Sequence, residues 1–164
     1  MKRLSRTVLA VYLIVLLWLV LFKFSSNPLL VFSSYKTRSL NLIPFADTSQ
    51  SNLYQIADNV LIFIPFGLLL SVNLKATDFK RRLTYIGALS VCVEITQYVF
   101  AIGRTDITDV IANTSGGLIG LLFYDAVKKH IRSEKLNRLI DVVGAVLLIL
   151  VILLRTFIFR IKYQ

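Results

Sequence analysis

The sequence predicts an all-α integral membrane protein, a bundle of about five transmembrane helices with a Pro-containing loop that is either extracellular or re-entrant. Three observations carry this prediction. The 164 residues are 56% hydrophobic with a mean hydropathy of +0.72, above the ~45–50% apolar share of soluble domains. Five apolar runs, roughly residues 7–24, 57–74, 83–101, 107–127 and 139–159, approach the ~20 residues that a spanning helix needs. Finally, the loops alternate in charge. Lys2, Arg3 and Arg6 precede the first run, Lys75, Lys80, Arg81 and Arg82 follow the second, and Lys128, Lys129, Arg132, Lys135 and Arg138 follow the fourth. Together these are 12 of the 19 Lys and Arg residues, the positive-inside signature. The N-terminus is therefore expected in the cytoplasm and the C-terminus outside. The five runs consume most of residues 1–164, which are read as a single membrane domain.

The net charge of +10 does not imply a nucleic-acid partner. Such binding needs a continuous basic face, and here the cations are scattered over short loops. Cys92 is the single cysteine and is expected to be a buried packing thiol. His130 has no second His or Cys nearby, so no zinc or thiol site is expected.

Residues 1–24 join a basic start to an unbroken apolar run without a clear small-residue cleavage site, which favours a retained signal-anchor over a cleaved signal peptide. Residues 25–56 form the longest polar connection. Pro44 fixes its backbone, and Leu42, Ile43 and Phe45 give it an apolar side. It reads either as a surface loop or as a segment that dips back over the bundle, which requires protein cover for its backbone. The second run opens with Asp58 and Asn59 and carries Pro65, which should kink the helix and free a carbonyl near residue 61.

In the third run, Gly87, Ser90, Glu94 and Gln97 share one helix face. The fourth run presents Asp106, Asp109, Asn113, Gly117 and Gly120 along one side, and Ala112, Gly116 and Gly120 form a small-residue ladder suited to close helix packing, either within the chain or with a partner helix. The turn between the two runs is short and contains Gly103, so the helices should be antiparallel neighbours. At 1.5 Å per residue, Glu94 lies about 10 Å and Asn113 about 9 Å below that turn, which lets Glu94 face Asp109 and Asn113. The opposite halves of these helices read as small and apolar. The fifth run has no polar residue between Gly144 and Arg155 and reads as a lipid-facing packing helix, with Arg155, Arg160 and Lys162 falling on the outside against the charge rule, where the other loops outvote them and Arg155 can snorkel.

Ionisable groups at membrane depth mark candidate functional sites. Near the turn, Asp58, Glu94, Asp106 and Asp109 gather around Arg104 as the nearest cation. With four carboxylates to one arginine, some carboxylate should be protonated, hydrogen-bonded to Asn or Gln, or bound to a cation. No cofactor or resident metal is expected, a divalent cation at the carboxylate cluster being the alternative. A network that merely cements the helices is the competing structural reading.

The segments SLNLIPF at residues 39–45, DNVLIFIPFGLLL at 58–70, EITQ at 94–97 and GRTDITDVIANTSGG at 103–117 resemble the VanZ-like family. The resemblance carries over Asn41, Pro44, Phe45, Asp58, Asn59, Pro65, Phe66, Gly67, Glu94, Gln97, Gly103, Arg104, Asp106, Asp109, Asn113 and Gly117. It implies a bacterial plasma-membrane protein that lowers susceptibility to a lipid-bearing glycopeptide antibiotic, teicoplanin more than vancomycin. It implies no settled reaction.

Three functions remain open at this point. The first is a binding or remodelling module whose pocket, formed by Asn41, Pro44, Asp58, Asn59, Glu94, Gln97, Arg104, Asp106, Asp109 and Asn113, engages membrane lipid, a lipid-linked peptidoglycan precursor or a lipoglycopeptide. The second is an enzyme on a lipid-linked substrate, with Asp106 or Asp109 as base, Glu94 as acid and Arg104 as an anion clamp. The third is an interaction partner that uses the small-residue ladder. Transport fits least well, because one five-span unit lacks the repeats usual in transporters.

Overall fold

The structure, a computed structural model, describes residues 2–22, 38–47 and 49–163, with side chains for residues 3–22, 38–47 and 49–154. Among the described residues, five helices are long and apolar enough to cross a membrane. They are α1 (Lys2–Leu21), α2 (Gln50–Asn73), α3 (Phe79–Phe100), α4 (Ile107–Val127) and α5 (Ser133–Tyr163). The chain is a multi-pass membrane protein.

Each helix buries one stripe. In α1 the buried positions are Ser5, Val8, Tyr12, Leu16 and Val20, spaced three or four apart as a single helix face requires. Ser49 starts α2 by accepting a hydrogen bond from Asn52 N at 3.4 Å. The helix then runs through Pro65 without a break in its assignment. Pro65 has no N–H to offer the preceding turn, and beside that gap the Tyr12 hydroxyl donates to the Ile62 carbonyl at 2.7 Å.

The tightest seam joins α2 to α4. A Cβ on Gly116 would strike the Val60 carbonyl, one on Gly120 the Ile64 carbonyl, and one on Gly67 the Gly117 carbonyl. The two backbones touch, which is what small residues in membrane helices allow. The ladder of Ala112, Gly116 and Gly120 therefore lies against α2 of the same chain, with Ala112 also buried.

The all-α bundle holds, with one addition and several corrections: β1 (Ser39–Asn41) is added, pairing in parallel with β2 (Arg104–Asp106), Asn41 standing opposite Asp106. Short β pieces leave no trace in a hydropathy pattern. The connection read as residues 25–56 ends sooner, because Gln50–Ile56 already belong to α2. Residues 25–37 and 48 of that segment lie outside the described residues, as do the side chains of Arg155, Arg160 and Lys162. Cys92 is exposed, not buried, since it sits on the outward side of α3.

The end of the bundle away from the strands is not simply small and apolar. Arg82 donates there to Ser71 Oγ at 2.9 Å and pairs with Asp125 at 3.0 Å, and the Tyr124 hydroxyl donates to Asn137 Oδ1 at 2.9 Å. Asp141 of α5 is also buried, as is Asn137, so α5 packs two polar positions inward. Arg82, counted as a topology signal from sequence, belongs to α3 and turns its side chain into the bundle.

Candidate functional site

The site is assembled where α3 hands over to α4. Ala101 closes α3 in the left-handed conformation at φ 51°. The chain then enters β2, whose last residue, Asp106, caps α4 by accepting from Thr108 N at 2.8 Å. An acceptor at a helix start satisfies an otherwise unpaired N–H. The expected four-residue turn is thus a strand plus a cap.

β1 is held onto this cap by side chains. Asn41 Nδ2 donates to Asp106 Oδ2 at 2.9 Å. Asn41 also forms a local turn, its Oδ1 accepting from Ile43 N at 3.2 Å. Two residues on, Phe45 takes a positive φ of 55° and its N–H donates to Thr108 Oγ1 at 3.0 Å. Asp47 reaches Arg104 at 3.5 Å, and Arg104 Nε lies 3.8 Å from Asp106. Residues 38–47 form a strand-and-turn clasp over the α3–α4 junction.

Beneath the clasp, Glu94 Oε2 accepts from the Asp106 N–H at 2.9 Å, and the Glu94 carbonyl accepts from Thr105 Oγ1 at 3.2 Å. Asp109 faces α2, taking Asn59 Nδ2 at 2.9 Å on one oxygen and Gln55 Nε2 at 2.8 Å on the other. Asn113 donates to Ser90 Oγ at 2.9 Å, and Gln97 donates to the Val20 carbonyl at 3.1 Å. Glu94, Gln97, Asp106, Asp109, Asn59 and Asn113 are all buried.

Glu94 was expected to face Asp109 and Asn113, and the hydrogen bonds of the three reach different elements. Glu94 meets the strand, Asp109 meets α2, and Asn113 meets α3. The reason lies in the α2–α4 seam, which turns Asp109 toward α2. Asp58 and Pro44 are exposed and do not join the buried group. Gln55, Thr108 and Asp47 were not anticipated. Asp47 had a local signal, an acidic residue two before Ser49, whose N–H donates to Asp47 Oδ1 at 2.9 Å. Gln55 had none.

Charge is managed mainly by donors. Burial raises the Asp106 carboxyl, but hydrogen bonds from Asn41 and Thr108 and the Arg104 charge outweigh it, and the group sits below its ordinary value of 3.8. Asp47 is also lowered, chiefly by hydrogen bonds from Ser49 and further by Arg104. Among the described residues, no three His, Cys, Asp or Glu side chains come together as a metal-holding group.

Beside the buried group runs an open groove of about 280 Å³. Leu40 and Leu42 wall it on one side, with Val91, Ile95, Tyr98 and Val110 on the others. Glu94, Thr105 and Asp106 contribute its buried lining. Leu40, Leu42, Val91, Ile95 and Tyr98 are all more than 40% exposed, so the groove opens sideways from the bundle.

The profile of the VanZ/LLP1 family matches residues 9–128, which hold most of α1, all of α2, α3 and α4, and the whole site. A relative described as Protein VanZ, from Enterococcus faecium, is 52% identical over 162 residues, covering 99% of this chain and 98% of its own length. No solved structure matches. With four ordered motifs folded into one clasped site and a full-length relative of this similarity, the chain belongs to the VanZ/LLP1 family.

Proposed function

We propose that this protein lowers bacterial susceptibility to glycopeptide antibiotics, teicoplanin more than vancomycin, by binding or remodelling a lipid-linked wall precursor or the antibiotic at the membrane. The strand-clasped end would face outside and the basic loops the cytoplasm, as the positive-inside bias favours. That arrangement puts the N-terminus in the cytoplasm and the C-terminus outside the plasma membrane. The observation that carries the reading is the juxtaposition of the buried Glu94–Asp106–Asn41 network with an apolar groove open to the side.

Binding accounts for these residues better than proton abstraction does. Asp106 and Asp109 each accept hydrogen bonds on both carboxylate oxygens. A general base instead needs a lone pair within reach of the substrate proton, and Asp106 and Asp109, 5% and 3% exposed, present little of their remaining lone pairs at the surface. The test is to express Glu94→Gln and Arg104→Ala in a susceptible host and measure growth inhibition by teicoplanin alongside protein level. Loss of resistance at unchanged level is expected, and resistance retained by both variants overturns the proposal.

A further inference from the structure

We infer that the clasp is a lipid-inserted element. Residues 39–46 sit in the leaflet that surrounds the clasped end of the bundle, with Leu42, Ile43 and Phe45 among its acyl chains. The five spanning helices suffice as the frame for this, whatever the protein does to antibiotics.

The segment is built inside out. Leu40, Leu42, Ile43 and Phe45 are between 53% and 68% exposed, and residues 39–46 carry no charge, Arg38 and Asp47 standing at the two ends. The polar groups turn the other way. Asn41 Nδ2 donates to Asp106 Oδ2 and to the Ile43 carbonyl. The Ile43 N–H goes to Asn41 Oδ1 and the Phe45 N–H to Thr108 Oγ1, while Pro44 between them has no N–H to satisfy. Water would satisfy such donors on a solvated loop. Backbone that borders hydrocarbon must instead find its partners within the protein, and from Ile43 to Phe45 it does.

Depth follows from strand direction. β2 leads straight into α4, and β1 is parallel to it, so β1 also heads into the span that α4 begins. At one end of the segment, Arg38 donates to the Val99 carbonyl, beside the last residue of α3. At the other, Phe45 is bonded to Thr108, already inside α4. Between them, Leu40 and Leu42 share the groove with Ile95 and Val91, about 8 and 14 Å short of the α3 end at 1.5 Å per residue. Ile95 and Val91 are exposed on a spanning helix, so acyl chains are what they meet, and the apolar side of the clasp continues that surface. This continuity selects lipid as the cover. Tyr54 and Tyr98, both exposed near the same end, suit the aromatic belt of a membrane interface. The groove beside Glu94 and Asp106 then opens into acyl chains, and these two groups are approached from the bilayer.

The test is fluorescence quenching of the full chain in phosphatidylcholine nanodiscs. Trp18 is the single tryptophan and is exposed on the spanning helix α1, close to the Val20 carbonyl that Gln97 reaches at the clasped end, so the unmodified chain supplies the lipid reference. On a Trp18→Phe background, Leu42→Trp or Ile43→Trp moves the probe to an exposed clasp position. His130→Trp, exposed in the loop before α5, supplies the water reference. Phosphatidylcholine brominated high on its acyl chains should quench the clasp probes about as strongly as Trp18, and iodide should quench them roughly tenfold less than the His130→Trp probe. Tryptophan itself favours interfaces, so a small side chain repeats the measurement. Ile43→Cys on a Cys92→Ser background should react with a membrane-impermeant maleimide about tenfold more slowly than His130→Cys on the same background. Iodide quenching without lipid quenching, or labelling of Ile43→Cys as fast as of His130→Cys, overturns the insertion and leaves the clasp in water. Quenching by neither agent assigns the face to a protein contact and overturns it equally. No antibiotic enters these measurements, so each result leaves the resistance reading to its own test.

Discussion

At the clasped end, Asp109 sits between the amides of Asn59 and Gln55 and Asp106 between Asn41 and its own helix start, whereas at the opposite end the buried Arg82 meets a carboxylate, Asp125, and the Ser71 hydroxyl. One end stabilises buried carboxylates mainly with neutral donors, and the other pairs opposite charges. The difference is chemical. Neutral donors hold a carboxylate while leaving its charge in place, so the clasped end keeps a field that a ligand can sense. The Arg82–Asp125 pair is itself electrically quiet and mainly fixes geometry. The first is where a binding site is expected, and the second is a scaffold joint.

The comparison presupposes one rigid seam under both ends, and breaking that seam should have the largest effect. Gly120→Leu drives a side chain into the Ile64 carbonyl, and Gly116→Leu into that of Val60. Overpacking costs roughly 1–3 kcal/mol when side chains can yield, and more when they cannot. Backbone cannot yield, so more than about 3 kcal/mol is expected, enough to prevent folded protein from accumulating. Size-exclusion of detergent extracts checks this. A monodisperse, stable Gly120→Leu protein would mean that the α2–α4 contact is not the frame assumed here.

A smaller effect sharpens the contrast itself. Asp125→Leu leaves Arg82, whose side chain is 8% exposed, without its carboxylate. Losing one partner of a fully buried pair costs ~3–5 kcal/mol. Because Asp125 is itself 36% exposed, about 2–3 kcal/mol is expected after screening. Adding Arg82→Met should restore most of it, since no uncompensated charge then remains. Asp109→Leu instead strands the neutral amides of Asn59 and Gln55, at a cost of about 1–2 kcal/mol. Thermal unfolding of the three variants in one detergent checks the order. Equal losses from Asp125→Leu and Asp109→Leu would erase the distinction between the ends.

Much of this was legible in the sequence, and the failures share a cause. Apolar runs and charge alternation located all five helices, because burying backbone in hydrocarbon permits little besides helices. Glu94, Asp109 and Asn113 stood out as polar residues at depth, and each is buried. Their partners were not legible, because pairing depends on how α2 is rotated against α4, and Gly67, Gly116 and Gly120 set that rotation only through three-dimensional contact. Asn41 entered through its motif, yet its contact with Asp106 spans 65 residues. The strand pair escaped for the same reason. Three residues of β structure have no period to detect, and what stabilises them is a partner far along the chain.

The finest test is the pH dependence of the clasp. Asp106 and Asp47 both sit below their ordinary value of 3.8 in the folded protein. A depressed folded value means that the ionised form is the one the fold prefers. Its contribution is therefore present in full above the unfolded value near 4 and lost as pH falls through the folded one. From pH 7 to 5, hydrogen exchange in residues 38–47 should be flat. Below about pH 4 it should rise, as Asp106 loses the charge that Asn41, Thr108 and Arg104 favour. Asn41→Ala removes one of those bonds and should raise clasp opening about fivefold at neutral pH, for ~1 kcal/mol. Asp106→Asn keeps the shape but cannot titrate, so it should flatten most of the acid limb and leave a shallow remnant from Asp47. The Arg82–Asp125 end offers the internal control, since exchange around residues 79–82 should not follow the Asp106→Asn substitution. An acid limb of full size in the Asp106→Asn protein would assign the opening to some other group and remove Asp106 from the clasp.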